Sequence, residues 1–138
     1  MSKKLARKLG ELLKTEGARR ATSFRAAFSG LGRLITSERH FQLHLIAATC
    51  AVIAAAVFGF STVEWAILLV TIGLVLVAEG LNSAIERAID TTTPGFHPLA
   101  KAAKDIAAAA VLIAAMISVI VGLLLYGPKL WALLTTRH

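Results

Sequence analysis

A chain of 138 residues has room for a single domain. With 57% hydrophobic residues, 17% charged residues and a mean hydropathy of +0.72, it is too apolar to be a soluble one, whose surface at this size needs more polar cover. The net charge of +7 sits at one end: residues 1–40 hold ten Lys/Arg against Glu11, Glu16 and Glu38, and the rest of the chain balances five against five. That distribution suits attraction to anionic lipid headgroups, and no recognition motif accompanies it that would make nucleic acid the partner.

From Lys3 to Lys14, Leu5, Leu9, Leu12 and Leu13 recur at helical spacing among five lysines and arginines, a basic amphipathic helix. It lacks the continuous apolar run of a signal peptide, so retention is expected. After Gly17 a second such helix places Phe24, Phe28, Leu31, Leu34 and Ile35 on one face, with Ser23 as its N-cap. Both are expected to lie on a membrane.

Three spans follow. Leu43 to Phe60 is eighteen residues free of Asp, Glu, Lys and Arg. The lone Cys50 lies within it and reads as a small buried hydrophobe, with no disulfide available. Gly59 to Thr62 make a turn, and the second span begins near Trp65 and runs through Glu79 to about Asp90, where Thr91-Thr92-Thr93-Pro94-Gly95 breaks it. The third runs from Ile106 to about Tyr126 and stops at Gly127-Pro128. Arg87, Lys101 and Lys104 flank the loop between the second and third spans, whereas the loop between the first two has no basic residue. The positive-inside rule then puts the N-terminus and the second loop in the cytoplasm.

The chemistry concentrates at the end of the second span. At about 100° per residue, Glu79, Asn82, Glu86 and Asp90 fall at about 0°, 300°, 340° and 20°, a stripe roughly 16 Å long. A helix end emerging into water would carry scattered, mostly basic charges on the cytoplasmic side; three acids and an amide on one face need another reason, since ionisable groups within a membrane are costly. Hard oxygen ligands suit Mg²⁺ held together with substrate phosphates, and one carboxylate remains to accept a proton from an attacking hydroxyl. Lys104 reads either as a positive-inside flanking residue or as a point charge for phosphate. His97 reads alone as a solvated loop residue, Lys101 as a topogenic charge, and Glu38 either as a solvated acid paired with Arg39 or Arg33 or as a further ligand beside the stripe. Gly122 and Gly127 have the spacing of a phosphate-binding loop, but Pro128 stands where its lysine belongs.

The strings Glu79-x-x-Asn82-Ser83-Ala84-Ile85-Glu86-x-x-x-Asp90, His97-x-Leu99 and Ala103-Lys104-Asp105 resemble the prokaryotic diacylglycerol kinase and undecaprenol kinase family, over roughly Ser23 to Tyr126. The resemblance implies an all-α membrane protein of surface helices and three transmembrane helices, assembled as a homotrimer with active sites shared between subunits. It also implies Glu79 as general base, and Glu38 and Glu86 as ligands of Mg²⁺ and of bound ATP. Asn82 and Asp90 are implied as supporting polar groups, with His97, Lys104 and Asp105 beside the nucleotide. Gly80 departs from the bulky apolar residue usual after the base, and Met1 to Ala21 has no family counterpart. The spacing from Ser23 to Glu38 and the string His97-Pro98-Leu99-Ala100-Lys101 are more similar to the undecaprenol branch.

The resulting expectation is a multi-pass kinase of the cytoplasmic (inner) membrane, with ATP and a lipid alcohol as substrates and its active site facing the cytoplasm. Residues 1–21 form a basic extension, 22–130 the kinase domain and 131–138 a short tail. Undecaprenol is the favoured acceptor and diacylglycerol the alternative. A second class is an ion- or proton-coupled transport subunit, which would need a polar path across the bilayer; the first and third spans offer only His44, Thr49 and Ser118 toward one. A catalytically inert assembly protein would leave the stripe and Lys104-Asp105 without a reason.

Overall fold

Backbone N–H and C=O groups in hydrocarbon must be satisfied within their own segment, so long uncharged runs fold as helices. The computed structural model describes the backbone of residues 3–135 and the side chains of residues 19–135. Within those bounds the chain is four helices: α1 (Lys3–Ser37), α2 (Arg39–Val57), α3 (Thr62–Thr92) and α4 (Pro98–Thr135). The last three are long and apolar enough to cross a membrane. The chain divides into two units at Ser37, α1 in one and α2–α4 in the other.

In α1 the sequence suggests two helices, and the structure has one of 35 residues. A glycine inside a helix costs about 1 kcal/mol relative to alanine, too little to end it at Gly17. Ser23 is therefore interior and not an N-cap; its hydroxyl donates to the Arg19 carbonyl at 3.0 Å, as interior hydroxyls commonly do. Phe24, Phe28, Leu31 and Ile35 share one face, and all four are exposed.

The three spans alternate in direction. Gly59 (φ +63°) takes the left-handed conformation that lets the chain leave α2 within a few residues. Ser61 and Glu64 then form a reciprocal capping box that starts α3. At the far end Gly95 (φ +100°) turns the chain into α4, which opens with Pro98, a residue suited to a first helical position. The antiparallel arrangement is fixed at both ends of the α3–α4 pair. Lys129 meets Glu64 at 3.1 Å, and Lys104 meets Asp90 at 2.6 Å. α3 packs on α4 and, less extensively, on α2.

The small core lies toward the Glu64 end. Ala55, Phe60, Leu68 and Leu125 are buried together, with Phe58, Trp65 and Tyr126 packed around them. The Tyr126 hydroxyl donates to the Ala51 carbonyl at 2.6 Å, tying α4 to α2. Outside this core, leucines, isoleucines and valines of all three spans point outward, which in lipid costs nothing and in water would be prohibitive. Cys50 belongs to this outward set and is exposed, contrary to the buried position its apolar neighbours suggest. α4 also runs past the expected stop: Pro128 lies inside it and the helix continues to Thr135, a tolerance familiar in transmembrane helices.

Candidate active site

At 1.5 Å per residue α2 is roughly 28 Å long, close to the hydrocarbon thickness, whereas α3 and α4 reach roughly 46 and 57 Å and must project beyond it. Glu79 lies fifteen residues along α3 from Glu64, or about 22 Å. Measured from Glu64 across a hydrocarbon core of about 30 Å, Glu79 lies short of the far side, and Glu86 and Asp90 lie at and beyond it.

Burial along the stripe follows this depth. Glu79 is 3% exposed and Asn82 8%; Glu86 is half-buried and Asp90 exposed. The Asn82 amide nitrogen donates to Glu86 Oε1 at 3.3 Å, holding two members of the stripe together one helical turn apart. Its other end, Oδ1, is buried without a hydrogen-bond partner. Such an acceptor costs on the order of 1–3 kcal/mol. A buried glutamate and a buried amide oxygen that lacks a donor, on one face of α3, are suited to a cation or a hydroxyl.

The remaining candidates gather at the same end. Glu38 is the N-cap of α2, in extended backbone, yet its side chain makes no capping hydrogen bond. It pairs instead with Arg87 on α3, which replaces the Arg33 or Arg39 pairing open to it in the sequence. Lys104 is held by Asp90, so the two motifs on either side of the loop are in direct contact. Asp105 pairs with Lys101 at 2.7 Å, one turn apart on the exposed start of α4. His97 is exposed, and its carbonyl accepts from the Lys101 amide at 3.0 Å at the start of α4.

Two residues escaped the sequence reading. Ser83 is 3% exposed and stands four residues from Glu79, at about 40° on the helical wheel, so rotation alone places it on the stripe. Arg87 reads in the sequence as a topogenic charge, and nothing local signals its partner 49 positions away.

Among the described residues no three His, Cys, Asp or Glu side chains come together as a metal-holding group. Mg²⁺ in phosphoryl transfer asks for less: one or two carboxylates, with nucleotide phosphates and water completing the shell. Glu86, the unpaired Asn82 oxygen and Glu38 are oxygen donors of that chemical kind.

Comparison with known proteins gives the family. The prokaryotic diacylglycerol kinase family matches residues 25–126. An undecaprenol kinase of Bacillus subtilis (strain 168) is 45% identical over 108 residues, covering 78% of this chain and 88% of the relative. A diacylglycerol kinase of Synechocystis is 39% identical over 113 residues, covering 81% of this chain and 65% of that longer relative. The diacylglycerol kinase of Escherichia coli (strain K12) is 34% identical over 94 residues, 68% of this chain and 77% of the relative. Every residue of the stripe, together with Glu38, Arg87 and Lys104, falls inside the matched segment, and the chain belongs to the prokaryotic diacylglycerol kinase family of membrane lipid kinases.

Proposed function

We propose that the protein transfers the γ-phosphoryl group of Mg-ATP to undecaprenol at the cytoplasmic face of the inner membrane, as a homotrimer. The observation that carries this reading is the graded face of α3. Glu79 is buried, Asn82 on the same face keeps an unpaired buried oxygen, and the half-buried Glu86 and exposed Asp90 continue the stripe toward the end of α3. A lipid alcohol reaches Glu79 from the bilayer, and a nucleotide reaches Glu86 and Lys104 from water. Residues 22–130 form the kinase domain, 1–21 a basic extension that favours anionic lipid, and 131–138 a tail.

Glu86 and Glu38 would hold Mg²⁺, with the Asn82 amide nitrogen bonded to Glu86 and its Oδ1 a further oxygen donor. When bound, the ion offsets the negative charge of the β- and γ-phosphates. Lys104 and its neighbours Asp105 and His97 flank the nucleotide, with the Lys104 ammonium exchanging Asp90 for phosphate. Glu79 takes the proton of the lipid hydroxyl as its oxygen bonds to the γ-phosphorus and the bond from that phosphorus to the bridging oxygen of ADP breaks. The hydrocarbon around Glu79 excludes water, which would otherwise compete as acceptor.

Undecaprenol is preferred as acceptor because the relative with 45% identity over 88% of its length is an undecaprenol kinase. Diacylglycerol is the second reading, since other relatives are diacylglycerol kinases. Side-chain placement speaks against a transport subunit. The hydroxyls of Thr49, Thr71 and Ser118 turn back onto carbonyls of their own helices, at 2.8, 2.7 and 2.7 Å. A cavity of about 210 Å³ between the spans is walled mainly by apolar residues, with His44, Thr71, Ser118 and Tyr126 as its polar lining, and no acid of the stripe lines it.

Purified protein in lipid, given labelled ATP with undecaprenol, diacylglycerol and ceramide in parallel, tests the proposal. Undecaprenyl phosphate should be the main product. Diacylglycerol as the better acceptor would shift the assignment to the second reading, and no lipid phosphate from any acceptor would overturn it.

A further inference from the structure

Glu38 stands at the N-cap of α2, where glutamate is not a favoured residue, and leaves the capping role unfilled. Its carboxylate reaches across to α3 instead, where the Nε and Nη2 groups of Arg87 both donate to the same oxygen, Oε1. The second oxygen, Oε2, is left out of the pair. The Glu38 side chain is 24% exposed and that of Arg87 51%, so the acid is the more enclosed partner. Arg87 directly follows Glu86, about 3.8 Å away between Cα atoms.

We infer that Arg87 is a positioning residue for the kinase reaction: by gripping Glu38 through one oxygen it holds the other available to the divalent cation at the end of α3. The inference rests on the reading of Glu38 as a ligand. A bare arginine near a cation site repels the cation, so a merely neighbouring charge and a positioning residue have opposite signs. Removing the charge alone tightens cation binding; removing the grip loosens it by letting Glu38 swing through its free rotamers. A purely structural staple between α2 and α3 would lower thermal stability and leave cation affinity where it was.

The test measures Mn²⁺, a spectroscopic stand-in for Mg²⁺ with the same preference for oxygen ligands, by electron paramagnetic resonance. The full-length protein is held in lipid nanodiscs with a non-hydrolysable ATP analogue. Arg87→Gln should weaken Mn²⁺ binding by about tenfold or more, as loss of a partner that orients a ligand does. Arg87→Lys, which keeps a charge and a donor, should recover part of that loss. Unchanged or tighter binding in Arg87→Gln, with weaker binding in Glu38→Gln, would overturn the positioning role and leave Glu38 a ligand. Unchanged binding in Glu38→Gln would remove the underlying reading as well. Should Arg87→Gln fail to fold, Arg87→Lys decides: reduced affinity supports the role, and wild-type affinity overturns it.

Discussion

Asp90 and Lys104 are joined at 2.6 Å across the loop between α3 and α4, so the last acid of the stripe and the lysine assigned to phosphate already touch. The pair is accessible, with side-chain exposures of 66% and 34%, and an accessible ion pair contributes at most about 1 kcal/mol to stability. On the function proposed above its significance is positional: Asp90 keeps the ammonium at the end of the stripe until a phosphate takes it.

Lys104→Met should therefore raise KM for ATP by about tenfold or more, the loss of one charge-assisted contact of about 1.5–3 kcal/mol. The midpoint of thermal unfolding should move little. Asp90→Asn, which frees the ammonium, should change KM far less. An equal effect of both substitutions would show that the pair acts as a unit and that Lys104 does not hold the nucleotide by itself.

The buried groups of the stripe carry an opposite signature. Glu79→Gln should lower kcat by about 10²–10⁴, the range for loss of a general base, with nucleotide affinity retained. Stability should stay level or rise, because an isosteric amide is less costly to bury than a carboxylate. Asn82→Leu should also lower activity, but by weakening Mg-ATP binding, because it removes the unpaired oxygen and the hydrogen bond to Glu86 together. Kinetics with Mg-ATP beside unfolding curves in detergent would check both, and a fall in stability matching the fall in activity would make these residues structural.

At the other membrane boundary Glu64 has two tasks, closing the capping box with Ser61 and pairing with Lys129. The Lys129 ammonium also stands 5.1 Å from the centre of the Phe60 ring. Glu64→Ala should lower the midpoint of thermal unfolding, through the lost cap and ion pair together, without altering KM for ATP at the far end. Thermal unfolding and ATP kinetics on the same preparation would separate the two effects.

Orientation is open to a direct check with the chain's single cysteine. With Cys50 changed to Ala, cysteines introduced at Thr93 and at Ser61 should react with a membrane-impermeant maleimide from opposite sides. In right-side-out vesicles only the Ser61 site should be labelled, and in inverted vesicles only the Thr93 site. The reverse pattern would put the acidic stripe on the outer face.

The spans and the stripe were legible in the sequence because each depends on a local rule. An uncharged run of bilayer length must cross, and 100° per residue puts Glu79, Asn82 and Glu86 together whatever the rest of the chain does. Ser83 obeys the same rotation and was open to the same reading. Boundaries were less legible, since Gly17 and Pro128 each disfavour helix by an amount that a long helix absorbs. Least visible was the Glu38–Arg87 pair. Its partners lie 49 residues apart, and sequence spacing does not say which of several nearby arginines an acid at a helix start will choose.

Because the Glu64–Lys129 and Asp90–Lys104 pairs fasten α3 to α4 at both ends, the two helices slide past one another only by parting opposite charges. Glu79 and Asn82 lie on α3 between those fastenings, so this buried stretch is kept in one register against α4.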